Sequence, residues 1–263
     1  MPTLHVDGCH LYYEKYGAGP ALVFAHGAGG NHLSWWQQIP FFRDRYTCVT
    51  FAHRGFGPSR DRPGGPGPDA FVDDLAALID HLGFDEVRLV AQSMGGWTCL
   101  GYALREPTRV RALVMAATIG SLAHPETERL AAENRAANPR QALFAQGVHP
   151  ACGERMTREQ PALHFLYTQV SALTALPAGF DLTAKLHAMR TTPPEMLATL
   201  TPPVLCITGE EDVVQPAAGV EVLASLIPRA RLVRVPNAGH SVYWERAETF
   251  NRLVDEFLAT GDS

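Results

Sequence analysis

The sequence predicts an α/β fold in which a mostly parallel central sheet is flanked by helices and carries a helical cap insertion. Short apolar runs with the length of buried strands alternate with segments whose apolar residues repeat at helical spacing. This alternation stops between residues 119 and 200. With 263 residues, of which 46% are apolar and 19% charged, the chain is long enough to enclose a large core.

The strands of the predicted sheet are six apolar runs, each short enough to be a strand that is buried on both faces. The runs are residues 21–25, 47–51, 87–91, 110–117, 204–208 and 231–235. Residues 4–16 precede them and predict a hairpin, because Asp7-Gly8 is a pair that favours a tight reversal.

Helices are predicted where apolar side chains fall on one face at helical spacing. One such face carries Phe71, Leu75, Leu78, Ile79 and Leu82, and another carries Phe250, Leu253, Val254, Phe257 and Leu258. Strands that alternate with amphipathic helices form a parallel sheet covered on both sides.

Residues 119–200 break this rhythm. Seven prolines interrupt the stretch, helical fragments dominate it, and it contains no clear strand. Because a structureless loop of this length is uncommon inside a compact domain, we expect a helical cap over one end of the sheet. The predicted organisation is a core domain of residues 1–118 and 201–263 with a cap of residues 119–200.

The composition argues against several classes of protein. The net charge of −5 offers no basic surface for nucleic acid or a membrane, and no apolar run approaches the roughly 20 residues that span a bilayer. Asp7 and Glu14 lie where a signal peptide needs a basic start and an apolar stretch. We expect a cytoplasmic protein that acts on a small molecule; no feature of the sequence sets its oligomeric state.

The cysteines point to neither a metal site nor a disulfide framework. The five cysteines are Cys9, Cys48, Cys99, Cys152 and Cys206, and no two of them have Cys-x-x-Cys spacing. They are interpreted as reduced thiols of the core. The sequence implies no metal and no organic cofactor.

The most informative segment joins a predicted strand to a helix at Ser93. Small residues surround this serine in Ala91-Gln92-Ser93-Met94-Gly95-Gly96, so a sharp turn can present its hydroxyl at the sheet edge, near the positive end of a helix. The segment resembles the nucleophile elbow, Gly-x-Ser-x-Gly, of the α/β-hydrolase fold, with Ala91 in place of the first glycine. A serine between small residues can also cap a helix, but the strand-turn-helix context favours a nucleophile.

A nucleophilic serine needs a base that is oriented by an acid, and in this family the acid and then the histidine follow the serine along the chain. Predicted strand 204–208 is followed by Gly209-Glu210-Glu211-Asp212, and the last strand by Ala238-Gly239-His240. The resemblance to the family's pattern implies Asp212 as the acid and His240 as the base. The two glutamates are interpreted as solvated charges of the turn.

A glycine-rich turn, His26-Gly27-Ala28-Gly29-Gly30, follows the run 21–25. Such a turn lets backbone N–H groups point at a developing oxyanion, and it lacks the Gly-x-x-x-x-Gly-Lys pattern of a phosphate loop. The resemblance implies that the oxyanion donors are the N–H groups of Ala28 and Met94. His26 is interpreted as a support of this loop and not as a base.

Residues 51–59 are similar to the family's Asp-x-Arg-Gly-x-Gly-x-Ser segment, with Ala52 where the aspartate is usual. This departure bears on local stability more than on chemistry. With it, the resemblance covers nearly all of the chain.

The residues at the motifs sort the reactions known for this fold. Ser93 argues against dehalogenases and epoxide hydrolases, which use an aspartate at the elbow. Ser241 stands where plant-type hydroxynitrile lyases have lysine, and Ala28 stands where haloperoxidase-like perhydrolases have tryptophan. The remaining chemistry is attack on an ester, lactone or thioester carbonyl.

The leading hypothesis is a serine hydrolase of a small, largely apolar ester or lactone, with an acyl-enzyme on Ser93. Candidate residues of an apolar pocket are Trp35, Trp97, Phe144 and Phe165. Two alternatives stay open. One is a carbon–carbon hydrolase of ring-cleavage products with the same triad, although such enzymes usually have tryptophan directly after the histidine. The other is a hydrolase-fold sensor that binds a small molecule and signals to a protein partner.

Overall fold

The structure, a computed structural model, describes residues 2–173, 176 and 179–261. Within them, eight strands form one sheet. The strands are β1 (Thr3–Val6), β2 (Cys9–Tyr16), β3 (Ala21–Ala25), β4 (Thr47–Phe51), β5 (Val87–Gln92), β6 (Val110–Ala116), β7 (Val204–Gly209) and β8 (Arg231–Val235). Their order is β1-β2-β4-β3-β5-β6-β7-β8. Only the pairings made by β2 are antiparallel, so the predicted mostly parallel sheet is confirmed.

Helices of very different length connect and cover the strands. They are α1 (Ile39–Phe42), α2 (Phe71–His81), α3 (Gly95–Arg105), α4 (Pro125–Ala137), α5 (Pro139–Ala145), α6 (Gly153–Glu159), α7 (Pro161–Ala172), α8 (Leu182–Ala188), α9 (Pro194–Leu197), α10 (Ala217–Leu226), α11 (Val242–Glu245) and α12 (Ala247–Gly261). Two 3₁₀ turns, His32–Trp35 and Gly67–Ala70, complete the set for the described residues. Among these helices, none is long and apolar enough to cross a membrane.

The predicted hairpin is formed by β1 and β2. Val6 pairs with Cys9, so that Asp7 and Gly8 are the two turn residues, with φ of 41° and 70°. Positive φ at both positions is what a tight turn between right-twisted strands requires.

The two faces of the sheet bury two separate apolar clusters. In β3, Val23 belongs to one cluster and Leu22 and Phe24 to the other, as the alternation of side chains along a strand requires. Burial on both faces, predicted for all six runs, is found for the five strands from β3 to β7, of which only β6 has an exposed residue. It is wrong for β8, because this strand lies at the edge of the sheet and is mostly exposed.

Both predicted helices bury the faces expected of them. In α2 the buried side chains include Phe71, Leu75, Leu78 and Ile79. In α12 the five predicted apolar residues are buried in the cluster that contains Leu22. All five cysteines are buried and unpaired.

Between β6 and β7 the chain forms helices α4 to α9, and we call residues 119–200 the cap segment. Its two ends meet, because Thr192 accepts a backbone hydrogen bond from Ala123 and donates one to Ser121. Asn31, in the turn after β3, donates to the carbonyl of Val170 on α7. The segment therefore leaves and re-enters the sheet domain at one place and contacts the loops at the carboxyl ends of the strands; we propose that it acts as the predicted cap.

Candidate active site

Ser93 lies on a sharp turn between β5 and α3. The strand ends at Gln92 and the helix begins at Gly95, so only two residues make the reversal. Ser93 has a φ of 49°, which is uncommon and strained for a residue with a side chain. Its backbone N–H donates to the carbonyl of Ala116 at the end of β6, 3.0 Å away. The turn thus presents the serine at the carboxyl edge of the sheet, as the sequence predicts.

Close backbone approaches around the turn require glycine. A Cβ at Gly95 would lie 2.2 Å from the carbonyl oxygen of Ala25. A Cβ at Gly27 would lie 2.1 Å from Oε1 of Gln92 and 3.1 Å from Cβ of Ser93. The glycine-rich turn after β3 is therefore packed directly against the serine turn.

Asp212 and His240 form a buried pair. Nδ1 of His240 lies 2.8 Å from Oδ2 of Asp212. The other carboxylate oxygen accepts the backbone N–H groups of Val214 and Gln215 at 2.7 and 2.8 Å. These bonds fix the orientation of the carboxylate and, by placing the imidazole proton on Nδ1, leave Nε2 free to accept a proton from a hydroxyl.

The two glutamates of the same turn point elsewhere. Glu210 and Glu211 are exposed, and Glu211 pairs with Arg155 of the cap segment at 2.6 Å. The structure thus brings Asp212, and neither glutamate, to His240, in accordance with their interpretation as solvated turn charges.

A second buried carboxylate, which sequence reasoning missed, holds the loop of His240. Oε2 of Glu245 accepts the N–H of Gly239 at 2.8 Å, and Oε1 accepts the N–H of Ser241 at 3.1 Å. Gln92 also donates to the carbonyl of His240 at 3.2 Å. Burial raises the pKa of Glu245 to about 8, although the two N–H donors favour the ionised form. The backbone on both sides of the histidine is therefore fixed by one side chain.

Ala28 and Met94 are the residues predicted to donate backbone N–H groups to an oxyanion. Ala28 follows β3 in the glycine-rich turn, and Met94 is the N-cap of α3, directly after the serine. Both side chains pack on one small apolar cluster that includes Phe56 and Trp97. Because α3 begins at this point, the positive end of its dipole lies beside the serine, where it favours a negative charge.

His26 supports the glycine-rich turn, as predicted. Its Nδ1 lies 2.7 Å from the carbonyl oxygen of Gly27, and its Nε2 accepts the backbone N–H of His53 at 2.9 Å. Burial lowers the pKa of His26 to about 4, so the ring is neutral and both of its nitrogens are occupied. This ring is not placed to act as a base.

The segment with Ala52 is held by a buried ion-pair network. The guanidinium of Arg54 binds both oxygens of Asp74, at 2.9 and 2.6 Å, and Oδ1 of Asp61 at 2.9 Å. The carbonyl of Ala52 accepts a hydrogen bond from Ser59 at 2.7 Å. These contacts fix the segment without the aspartate that is usual at position 52.

A cavity of about 260 Å³ lies between Ser93, His240 and the cap segment. Ala28 and Trp97 line it on the sheet side. On the cap side the cavity is lined by Arg135, Arg140, Arg190, Asn134, Asn138 and His187 among others. The prediction of a largely apolar pocket is therefore wrong on that side.

Trp35 does not line the pocket. It is fully buried in the core, with ring centroids 5.1 Å from Phe24 and 4.6 Å from Tyr243. The short 3₁₀ turn that contains it directs the indole beneath the sheet loops, so the prediction for Trp35 is wrong.

The two cap phenylalanines differ. Phe144 is 60% exposed but lines a second, smaller cavity that also contacts Ser93 and His240. Phe165 is 64% exposed and lines neither of these two cavities beside Ser93 and His240. On α7 the buried residues are Tyr167 and Val170, and a residue two positions before Tyr167 lies on the opposite side of a helix. The prediction for Phe165 is wrong for this reason.

Comparison with known proteins identifies the family. The model of the alpha/beta hydrolase fold matches residues 20–247, a range that includes Ser93, Asp212 and His240. The chain belongs to the α/β-hydrolase fold family, and it is a hydrolase.

Relatives of this chain span its whole length. The chain is 28% identical to 3-oxoadipate enol-lactonase 2 of Acinetobacter baylyi, over 97% of its own length and 96% of the relative's. A thermophilic esterase from Thermogutta terrifontis superposes with a TM-score of 0.80 at 27% identity, covering 99% and 97% of the two chains. An N-acyl homoserine lactone degrading enzyme superposes with a TM-score of 0.78 at 28% identity, covering 97% and 100%.

Proposed function

We propose that this hydrolase cleaves a small carboxylic ester or lactone through an acyl-enzyme on Ser93. One observation carries the proposal: the buried Asp212–His240 pair opens onto the same cavity as the strained serine turn. A nucleophile, a base and an acid that orients the base are the parts that acyl transfer requires.

In the first half of the proposed reaction, Oγ of Ser93 attacks the carbonyl carbon of the substrate and its proton passes to Nε2 of His240. The carboxylate of Asp212 stabilises the imidazolium that forms. The N–H groups of Ala28 and Met94 stabilise the negative charge on the carbonyl oxygen. When the tetrahedral intermediate collapses, the leaving oxygen takes the proton from His240, and an ester of Ser93 remains.

In the second half, a water molecule gives a proton to His240 and attacks the acyl carbon. Collapse returns that proton to Oγ of Ser93 and releases the acid. With a lactone, the alcohol formed in the first half stays attached to the acyl group, so a single hydroxy acid is released. One site therefore serves both bond types.

The relatives support this choice of bond. An enol-lactonase, an esterase and a lactone-degrading enzyme are all named for cleavage of an ester linkage, since a lactone is an internal ester. We infer the same linkage for this chain.

The experiment is an initial-rate assay with p-nitrophenyl esters from acetate to decanoate. We expect multiple turnovers by the wild-type protein and none by Ser93→Ala, while Ser225→Ala, which removes an exposed hydroxyl of α10, leaves the rate unchanged. Turnover by a folded Ser93→Ala protein would overturn the proposal. A stoichiometric burst without further turnover by the wild type would favour the sensor instead.

A further inference from the structure

The six arginines of the cap segment fall into two groups. Arg129, Arg155 and Arg158 pair with glutamates on the surface. The other three, Arg135, Arg140 and Arg190, line the cavity that contains Ser93 and His240. Within the described part of the chain, these three have no carboxylate at ion-pair distance, and no acidic residue lines the cavity.

Arg190 is held in place without having its charge neutralised. Its guanidinium lies 5.7 Å from the centroid of the Trp97 ring, and the indole N–H of Trp97 donates to the carbonyl of Leu186 at 3.2 Å. Trp97 is in the first turn of α3, four positions after Ser93. A cation stacked on this ring is therefore fixed close to the predicted nucleophile.

Two nitrogens of Arg190 lack a partner. Nε and Nη1 are buried and find no hydrogen-bond acceptor among the described residues. Buried donors are nearly always satisfied, and an exception at a cavity wall indicates a ligand that completes the bonding. The N–H groups of a guanidinium are well suited to bind the oxygens of a carboxylate.

Arg140 and Arg135 add positive charge to the same wall. One Nη of Arg140 donates to the carbonyl of Val214 at 2.6 Å, next to the turn that anchors Asp212. Burial lowers the pKa of Arg140 and of Arg190, and the charge of Arg135 lowers both further. Arg140 and Arg190 are half-buried and Arg135 is exposed. The three cations repel one another, and a bound anion would relieve that repulsion.

The acidic groups nearest to this wall do not serve that purpose. The charge of Asp212 acts on Arg140 at longer range and raises its pKa, but the carboxylate itself is engaged with His240 and two backbone N–H groups. Glu128 acts on Arg190 and His187 only at longer range, since its charge affects their pKa but it makes no ion pair with them. The wall is therefore open to an external anion.

We propose, on the basis of the ester or lactone hydrolysis proposed above, that the substrate carries a free carboxylate, which the guanidinium of Arg190 binds while Arg135 and Arg140 supply a positive field. The substrate class is then a short acid with a second functional end: a monoester of a dicarboxylic acid, or a lactone that bears a carboxylate. A neutral long-chain ester does not fit a wall of this composition.

The first test compares two esters of the same length, p-nitrophenyl hydrogen glutarate, which has a free carboxylate, and p-nitrophenyl valerate, which is neutral. We expect kcat/KM to be about 10- to 100-fold higher for the glutarate ester, the range of a charged hydrogen bond. The variant Arg190→Gln should reduce this ratio by a similar factor. The matched control Arg129→Gln, from the paired group, should leave the ratio unchanged. A ratio near one in the wild type, or one that Arg190→Gln leaves intact, would overturn the proposed carboxylate site.

A binding measurement separates this inference from the proposed reaction. Glutarate itself is titrated by calorimetry into Ser93→Ala, alone and combined with Arg190→Gln or Arg129→Gln. We expect Arg190→Gln to raise the Kd for glutarate at least about 10-fold and Arg129→Gln to leave it unchanged. Loss of binding in both variants equally, or in neither, would contradict the inference even if the hydrolysis of esters is established. Arg190-dependent binding in a protein that cleaves no ester would refute only the reaction.

Discussion

The exchange of Asp212 for asparagine tests the orientation of the imidazole. In the wild type, Oδ1 accepts two backbone N–H groups, from Val214 and Gln215, and Oδ2 faces Nδ1 of His240. An asparagine has to keep its oxygen toward the two N–H donors, since an amide NH₂ in that position would meet two other donors. Its NH₂ then faces the histidine.

The exchange of Asp212 for asparagine therefore favours the wrong tautomer of His240. Nδ1 of His240 becomes an acceptor and the ring proton moves to Nε2. Nε2, which we propose takes the proton of Ser93, can then no longer accept it. In serine hydrolases this change costs a factor of about 10⁴ in rate, which corresponds to about 5 kcal/mol of transition-state stabilisation. The size and shape of the side chain are unchanged, so we expect a folded protein.

The assay is kcat/KM for a p-nitrophenyl ester between pH 5 and 9, with circular dichroism to confirm folding. The matched control is Glu211→Gln, which removes only the surface ion pair with Arg155, worth at most about 1 kcal/mol. We expect kcat/KM to fall by a factor of about 10⁴ in Asp212→Asn and by less than about twofold in Glu211→Gln. If a folded Asp212→Asn protein keeps a tenth or more of the activity, Asp212 does not orient the imidazole for catalysis. If Glu211→Gln is the crippled variant, the acid is Glu211.

Three further predictions concern residues that support the loops around Ser93 and His240. Glu245→Gln leaves one buried N–H beside His240 without an acceptor. We therefore expect the free energy of unfolding in urea to fall by about 1 to 3 kcal/mol and kcat to be lower. Unchanged values would contradict the role of this carboxylate. Gly95→Ala places a Cβ 2.2 Å from the carbonyl of Ala25, and the resulting shift should lower stability by about 1 to 3 kcal/mol and remove most activity, whereas a fully active variant would show that the turn tolerates bulk. His26 is buried and neutral, and its pKa is lowered from 6.5 to about 4. Between these pH values the folded state therefore binds fewer protons than the unfolded state. Because of His26, the free energy of unfolding should fall by about 3 kcal/mol as the pH drops from 6.5 to 4. Urea unfolding of His26→Gln across the same pH range should show a shallower decline, and an equal one would assign the effect to other groups.

The elements that the sequence predicts well are those specified by local pattern. The strands β3 to β7 are continuous apolar runs between turns, and the serine turn is marked by small residues that a close approach to Ala25 requires. The run 231–235 includes two arginines, Arg231 and Arg234, and its exposure accords with its place at the edge of the sheet. That place depends on the order of the strands and not on the segment itself.

The parts of the site that the sequence does not reveal are assembled from distant segments. Glu245 resembles any carboxylate of a short helix until α11 buries it against the histidine loop. Arg135 lies in α4, Arg140 in α5 and Arg190 two residues after α8, and only the folding of the cap segment brings them to one wall. Trp35 shows that closeness in sequence does not place a residue at the site: it follows the glycine-rich turn closely, but its indole is directed into the core.

The composition of the cavity wall restricts the expected substrate more than the predicted triad does. The triad alone is compatible with any ester, whereas unpaired guanidinium groups select for a charge at a defined place. We propose that the triad accounts for the reaction and that the cap segment accounts for the choice of substrate.

The activation of Ser93 by His240 and Asp212 is tested most directly by mass spectrometry of the protein after reaction with a fluorophosphonate. This reagent forms a stable phosphonate ester only with an activated serine. We expect one adduct per chain, on the peptide that contains Ser93, and none in Ser93→Ala. We expect labelling of Asp212→Asn to be slower than that of the wild type by orders of magnitude. An adduct on another serine, or equal labelling rates of wild type and Asp212→Asn, would contradict a nucleophile at Ser93 that is activated by His240 and Asp212.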